Sequence, residues 1–461
     1  MDPSPLDLPA GFRFGVSTSA YQIEGAVGED GRGASIWDTF SRTPGRIADG
    51  SSGDVACDHY HRHLDDIGLL SGLGVGAYRF SVAWPRVQPA GSGPVNPAGL
   101  AFYDRLVDLL LDRGIDPVVT LFHWDLPQAL QDRGGWHARD TAARFAEYAD
   151  LTAARLGDRV ALWITLNEPV VHLTYGHALG VHAPGEARLF DALPVAHHQL
   201  LGHGLAVAAL RARSSAPVAI TNNYSPVRLA GATDPDRAAG QAFDAVQNRL
   251  FTDPVLGRGY PAALPVDLTA LRYGDQPLVR DGDLATIAAP IDVLGVNYYN
   301  PTGVRAPAEA DAPLPFDLVP LDGYPRTAFD WPVAPDGLHE LLTGLRERHG
   351  ADLPPIEITE SGCAWDDVLD ADGRCHDPER IDYLEGHLRA VRAAIDDGVD
   401  VRGYFVWSLL DNWEWAEGFG KRFGLVHVDF DTQVRTPKSS YAWYRDLIAR
   451  QGSTRSAGPP A

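Results

Sequence analysis

The stretch VALWITLNEPV, residues 160–170, decides how the whole chain is read. Leu162 to Leu166 form an apolar run of the kind expected for a parallel strand buried on both faces. Asn167 and Glu168 end it, and Pro169 cannot continue it. A carboxylate at the end of a buried strand is costly to desolvate unless something uses it. A second run, PIEITESG at 355–362, ends the same way at Glu360.

Six further runs have this character: FRFGVST from Phe12, AYRFSV from Ala77, DPVVTLF from Asp116, PVAITNN from Pro217, DVLGVNYY from Asp292 and GYFVWSLL from Gly403. Helical patterns lie between many of them. In residues 380–398, Ile381, Leu384, Leu388, Val391 and Ile395 make one apolar stripe, stopped by Gly398. In residues 96–114, Asn96 reads as an N-cap with Pro97 at the first helical position. In residues 140–158, Phe145, Tyr148, Thr152 and Leu156 fall at helical spacing. Eight strands alternating with helices predict an α/β chain, a single (β/α)8 TIM barrel over residues 1–461 with long βα loops at its C-terminal face. The runner-up is an open doubly wound sheet. GLGVGA at Gly72 precedes a strand instead of following one, which is the wrong context for a dinucleotide site. Residues 300–337 read as a long loop after the sixth strand, residues 1–10 as a short lead and residues 449–461 as a frayed, flexible tail.

The bulk numbers narrow the classes. The 461 residues are 45% hydrophobic and 22% charged, enough for a large core. A net charge of −22 disfavours nucleic acid as a partner. The N-terminus lacks the basic and apolar regions of a signal peptide, and no apolar run is long enough to cross a membrane. Cys57, Cys363 and Cys375 form no CxxC, so reduced thiols in a cytoplasmic protein are expected. The Cys363–Cys375 spacing neither requires nor forbids a bond. His59, His61 and His63 alternate as metal ligands on a strand would, but their segment continues as a helix, where they do not share a face. HExxH, GxSxG and GxxxxGK[ST] are absent. No metal and no cofactor are expected.

If the fold is a barrel, Glu168 and Glu360 end strands four and seven, at the mouth where barrel active sites lie. Two facing carboxylates suit glycoside hydrolysis: a protonated one donates to the leaving oxygen, and an ionised one attacks the anomeric carbon or activates water. Their company is rich in amides and aromatics, suited to sugar hydroxyls and to C–H faces. Gln22 follows strand one, and Arg79 lies in strand two. His123 and Trp124 follow strand three; Asn297 and Tyr299 end strand six. The stretch WSLLDNWEW at strand eight offers Trp407, Glu414 and Trp415.

The motifs FRFGVSTSAYQIEGA, YRFSVAWPR, LFHWDLPQAL, WITLNEP, GVNYY, ITESG and VWSLLDNWEWAEGF, in this order, resemble glycoside hydrolase family 1, the β-glucosidase family, from Phe12 to Leu447. The resemblance implies a retaining mechanism with Glu168 as acid/base and Glu360 as nucleophile, their carboxylates ~5–5.5 Å apart. It further implies that Asn167 meets the sugar 2-hydroxyl and that Gln22, His123, Glu414 and Trp415 hold the other hydroxyls. Trp407 would lie beneath the ring, Arg79 and Tyr299 beside Glu360, and Asn297 close to the acid/base pair. Trp331, Phe423 and Trp124 would shape the aglycone side. One departure is Ser361, where the family often has Asn. The family's 6-phosphoglycoside branch carries Ser where this chain has Glu414 and Tyr where it has Phe423. Lys421 matches that branch's phosphate-binding lysine, but Glu414 would repel a phosphate. The expected substrate is therefore an unphosphorylated β-glycoside or short oligosaccharide, a β-D-glucoside first, with galactosides and fucosides not separated. A transglycosylase and a non-catalytic sugar-binding protein are the rival readings.

Overall fold

The computed structural model describes residues 6–309 and 311–453. Eight parallel strands close into a barrel: β1 Arg13–Ser17, β2 Ala77–Ser81, β3 Asp116–Phe122, β4 Leu162–Asn167, β5 Val218–Tyr224, β6 Val293–Tyr298, β7 Ile356–Ser361 and β8 Val401–Trp407. Each pairs with its neighbours in sequence, and β1 pairs with β8. These are the eight apolar runs read from the sequence, and the barrel excludes the open doubly wound sheet. Ala77, Val118, Leu162, Ile164, Ala219, Val293 and Phe405 fill the interior as one cluster. Phe405 needs a glycine opposite: a Cβ on Gly15 would lie 2.3 Å from its ring.

The outer helices include Pro97–Leu111, Asp140–Leu156, Leu193–Arg213, Pro335–His349, Pro378–Asp396 and Ser439–Ser453. Pro97 does begin its helix, but Asn96 does not cap it with its side chain; that amide donates to the carbonyls of Asp30 (2.8 Å) and Arg86 (2.9 Å). His59–Leu73 is helical, so the three histidines do not share one face: the His59 and His63 rings lie 6.4 Å apart, and His61 has partners of its own. His59 bonds Asp66, His61 bonds Asp58 and Glu29, and His63 bonds the Tyr60 carbonyl.

Two further expectations need correction. Residues 300–337 are not an unstructured loop: Thr302–Arg305 pairs with Asp317–Val319 and with Val227–Leu229 in a small three-stranded sheet, so backbone groups that a bare loop would leave to solvent are paired. The last helix runs on to Ser453 through residues 449–453, assigned to the tail; residues 454–461 lie outside the described residues. The helix is anchored because the Lys438 ammonium before it sits 2.6 Å from both Asp367 and Asp411, and Tyr444 donates to the Gly15 carbonyl at 3.2 Å. In the lead, residues 1–5 lie outside the described residues, whereas Leu6 and Leu8 are packed into the core. All three cysteines are buried and free, so Cys363 and Cys375 are not bonded here.

Candidate active site

Glu168 leaves β4 with left-handed backbone angles, φ 43° and ψ 55°. Such a conformation costs a residue with a Cβ about 1–3 kcal/mol and persists only when its surroundings impose it. Here its N–H donates to the Thr221 carbonyl at 2.8 Å, and Pro169, with φ preset, starts a short helix behind it. Register irregularities precede both glutamates, between Ile164 and Asn167 on β4 and between Ile358 and Glu360 on β7. Such bulges re-aim the residue that follows. Beyond Glu360, a Cβ on Gly362 would lie 1.8 Å from the Trp407 carbonyl oxygen, so only glycine lets the end of β7 meet the end of β8.

The two carboxylates have different partners. Arg79 donates to Glu360 Oε1 at 2.5 Å, and the Tyr299 hydroxyl donates to Oε2 at 2.8 Å. Among the described residues Glu168 has no cation in contact; Asn297 and Asn223 each donate to its Oε1 at 2.9 Å. The two sides are linked, since Arg79 also donates to Asn167 Oδ1 (2.6 Å) and Asn297 donates to the same oxygen (3.1 Å). Burial, and then the Glu360 charge, push the Glu168 carboxyl up to about 8. Burial raises Glu360 too, but the Arg79 guanidinium and the Tyr299 hydroxyl oppose it. Of the pair, Glu360 is therefore the one that ionises first.

The other expected residues are joined by hydrogen bonds and ring contacts around the same pair. Ser19 donates to Gln22 Oε1 at 2.6 Å, which turns the Gln22 amide N–H toward Glu414 (3.0 Å) and Asn412 (3.1 Å). Burial, followed by the Glu360 charge, raises the Glu414 carboxyl to about 8. Because Asn167 Oδ1 accepts from Arg79, its Nδ2 donates to His123 Nε2 at 3.0 Å. That places the His123 proton on Nδ1, which is buried and has no partner among the described residues. Burial, with the Arg79 charge, keeps this imidazole neutral. The His123 ring stacks between Trp407 (5.8 Å) and Trp415 (5.9 Å), and Trp124 packs on Trp415 at 4.7 Å.

Trp331 and Phe423 join Tyr299 and Phe329 in an aromatic cluster, with Phe329 stacked on Trp331 at 4.5 Å. Lys421 is committed there: it donates to the Ala328 carbonyl at 2.7 Å and lies over the Phe329 ring. The Ser361 hydroxyl lies 3.4 Å from that of Tyr383. Among the described residues, one group has metal-ligand spacing, His137, His177 and Glu186. There, Glu186 Oε2 already meets both imidazoles, and Arg188 at 2.9 Å balances its charge.

The family model described as Glycosyl hydrolase family 1 matches residues 5–453. The chain belongs to this family. A "Thermostable beta-glucosidase B" of Thermobispora bispora is 51% identical over 97% of this chain and 92% of its own. A "Bifunctional beta-D-glucosidase/beta-D-fucosidase" of Bifidobacterium breve is 46% identical over 96% of this chain and 98% of its own. Among solved structures, a Thermotoga maritima β-glucosidase in complex with glucoimidazole superposes with TM-score 0.91 at 43% identity, covering 97% of this chain and 99% of that one.

For this family 1 chain, sequence reading missed Asn223, Asn412 and Phe329. Asn223 was within reach, since it lies next to the end of β5 in ITNNY, as the other amide donor to Glu168, Asn297, lies next to the end of β6. Phe329 carried no such mark, because its stacking on Trp331 is set by the path of a loop.

Proposed function

We propose that this family 1 chain is a retaining β-glucosidase in which Glu168 is the acid/base and Glu360 the nucleophile. The observation that carries this reading is the unequal partnering of two buried carboxylates at matched strand ends: a cation and a phenol on Glu360, only amides on Glu168. Glu360, ionised, attacks the anomeric carbon while Glu168 gives its proton to the departing oxygen, leaving a covalent glycosyl ester. Water then attacks the same carbon, gives its proton to Glu168 and displaces Glu360, so the product keeps the β configuration.

The rest of the cleft holds the sugar. Asn167, fixed by Arg79 and Asn297, takes the 2-hydroxyl, and His123, Gln22, Glu414 and Trp415 serve the others. Trp407 lies beneath the ring. Trp331, with Phe423 and Trp124, shapes the aglycone side. Glu414 in its ionised form repels a 6-phosphate, which supports an unphosphorylated glycone. Activity on β-D-glucosides and β-D-fucosides together accords with the bifunctional relative. Three free, buried thiols support a reducing, cytoplasmic setting. No described helix is long and apolar enough to cross a membrane.

A pH–rate profile on an aryl β-D-glucoside, with proton NMR of the first-formed sugar, tests the reading. A bell-shaped profile with β-glucose appearing first is expected. α-Glucose first means inversion and makes Glu360 a base; no turnover of any β-glycoside returns the chain to the sugar-binding alternative.

A further inference from the structure

Both amide donors to Glu168 converge on Oε1. Oε2 accepts from no described side chain, yet it is not among the fully buried unpartnered atoms, so solvent reaches it. An oxygen that already accepts two N–H groups is a poor place for a proton; the proton belongs on Oε2. This holds only while Asn223 presents its NH2 and not its carbonyl to Glu168. An amide can turn either way, and the neighbour that decides for Asn223 is Gln247, in the wide helical turn Ala245–Arg249. Gln247 Nε2 donates to Asn223 Oδ1 at 2.9 Å and lies 3.5 Å from the Asn223 backbone carbonyl, which can only accept. The same NH2 on both oxygens fixes the orientation of the two side chains.

We propose that Gln247 is a positioning residue for the acid/base step: it orients the Asn223 amide so that Glu168 Oε1 is occupied and Oε2 carries the proton delivered to the leaving group. The inference rests on Glu168 being the acid/base. Gln247 is uncharged and touches neither carboxylate of the reacting pair. The charged and titratable groups facing Glu168 are Glu360 on β7, Arg79 on β2, Tyr299 after β6, Glu414 after β8 and Tyr175 after β4, and none is altered by changing Gln247. An N–H on the ionised carboxylate favours ionisation, so losing or reversing it raises the pKa of Glu168. The basic limb of kcat/KM, which reports the acid of the free enzyme, then moves to higher pH.

The experiment compares pH profiles of the full-length protein and its Gln247→Leu and Gln247→Glu variants on an aryl β-glucoside with a poor leaving group. Leucine frees the Asn223 amide and moves the basic limb up modestly. Glutamate accepts from Asn223 Nδ2, turns the carbonyl onto Glu168 and moves the limb up by about one pH unit or more. Asn223→Ala behaves like Gln247→Leu, and the double variant adds nothing further. Basic limbs that superimpose on the parent's in both Gln247 variants, with or without a fall in Tm, overturn the proposal and leave Gln247 a structural residue. If Glu168→Ala slows good and poor leaving groups equally, it is the acid/base reading itself that fails.

Discussion

Replacing Arg79 with methionine tests the division of labour between the two glutamates. Arg79 is buried, and its four contacts are Glu360 at 2.5 Å, Asn167 at 2.6 Å, the Thr359 carbonyl at 3.1 Å and Thr120 at 3.2 Å. Methionine keeps much of the volume and removes the charge. A hydrogen bond to a charged group contributes about 1.5–3 kcal/mol. With 1.36 kcal/mol to a pK unit, the Glu360 carboxyl then holds its proton more tightly by roughly one to two units. Glu360 must be ionised to attack, so its pKa in the free enzyme sets the acid limb of kcat/KM, and that limb moves up by the same amount. Because the two carboxylates are coupled, the measured values belong to the pair. Tyr299→Phe removes the hydroxyl donor to the other oxygen and moves the limb the same way by less. The assay is kcat/KM on an aryl β-glucoside from about pH 4 to about pH 9, with Tm measured alongside. Removing one partner of a buried ion pair also costs about 3–5 kcal/mol of stability, so the variant is assayed well below its Tm. A uniform fall in kcat/KM with the acid limb unmoved in both variants would refute the claim that Arg79 and Tyr299 hold the charge on Glu360.

Three further outcomes are expected. Glu168→Ala slows the first step roughly 100-fold or more for glycosides with poor leaving groups and far less for activated aryl glycosides, because only the former need protonation; pre-steady-state rates distinguish the two. Glu360→Gly abolishes hydrolysis, and added azide restores turnover to an α-glycosyl azide; recovery of the β-azide would reverse the two roles. Gly362→Ala forces a Cβ against the Trp407 carbonyl, lowers stability by about 1–3 kcal/mol or more and disturbs Glu360 with it, which thermal melting and kcat read separately; an unchanged Tm would show that the strand end can yield.

The sequence by itself determined the barrel and singled out the two glutamates proposed to react. Eight apolar runs, each too short for a helix and separated by helical patterns, leave few ways to bury both faces of every strand, and closure puts all eight ends at one mouth. Glu168 and Glu360 stood out because a charge ending an apolar strand is costly without a use. What the sequence did not carry were contacts between segments far apart in the chain. Asn223 and Gln247 act on Glu168 through amide orientations set by two other elements. Residues 300–337 gain strands because Val227–Leu229 offers an edge to pair with. Residues 449–453 stay helical as part of a helix anchored by Lys438 on Asp367 and Asp411. Hydrophobic periodicity is local, so it survives in the sequence; hydrogen-bond direction depends on which neighbour arrives, and that is decided only when the chain has folded.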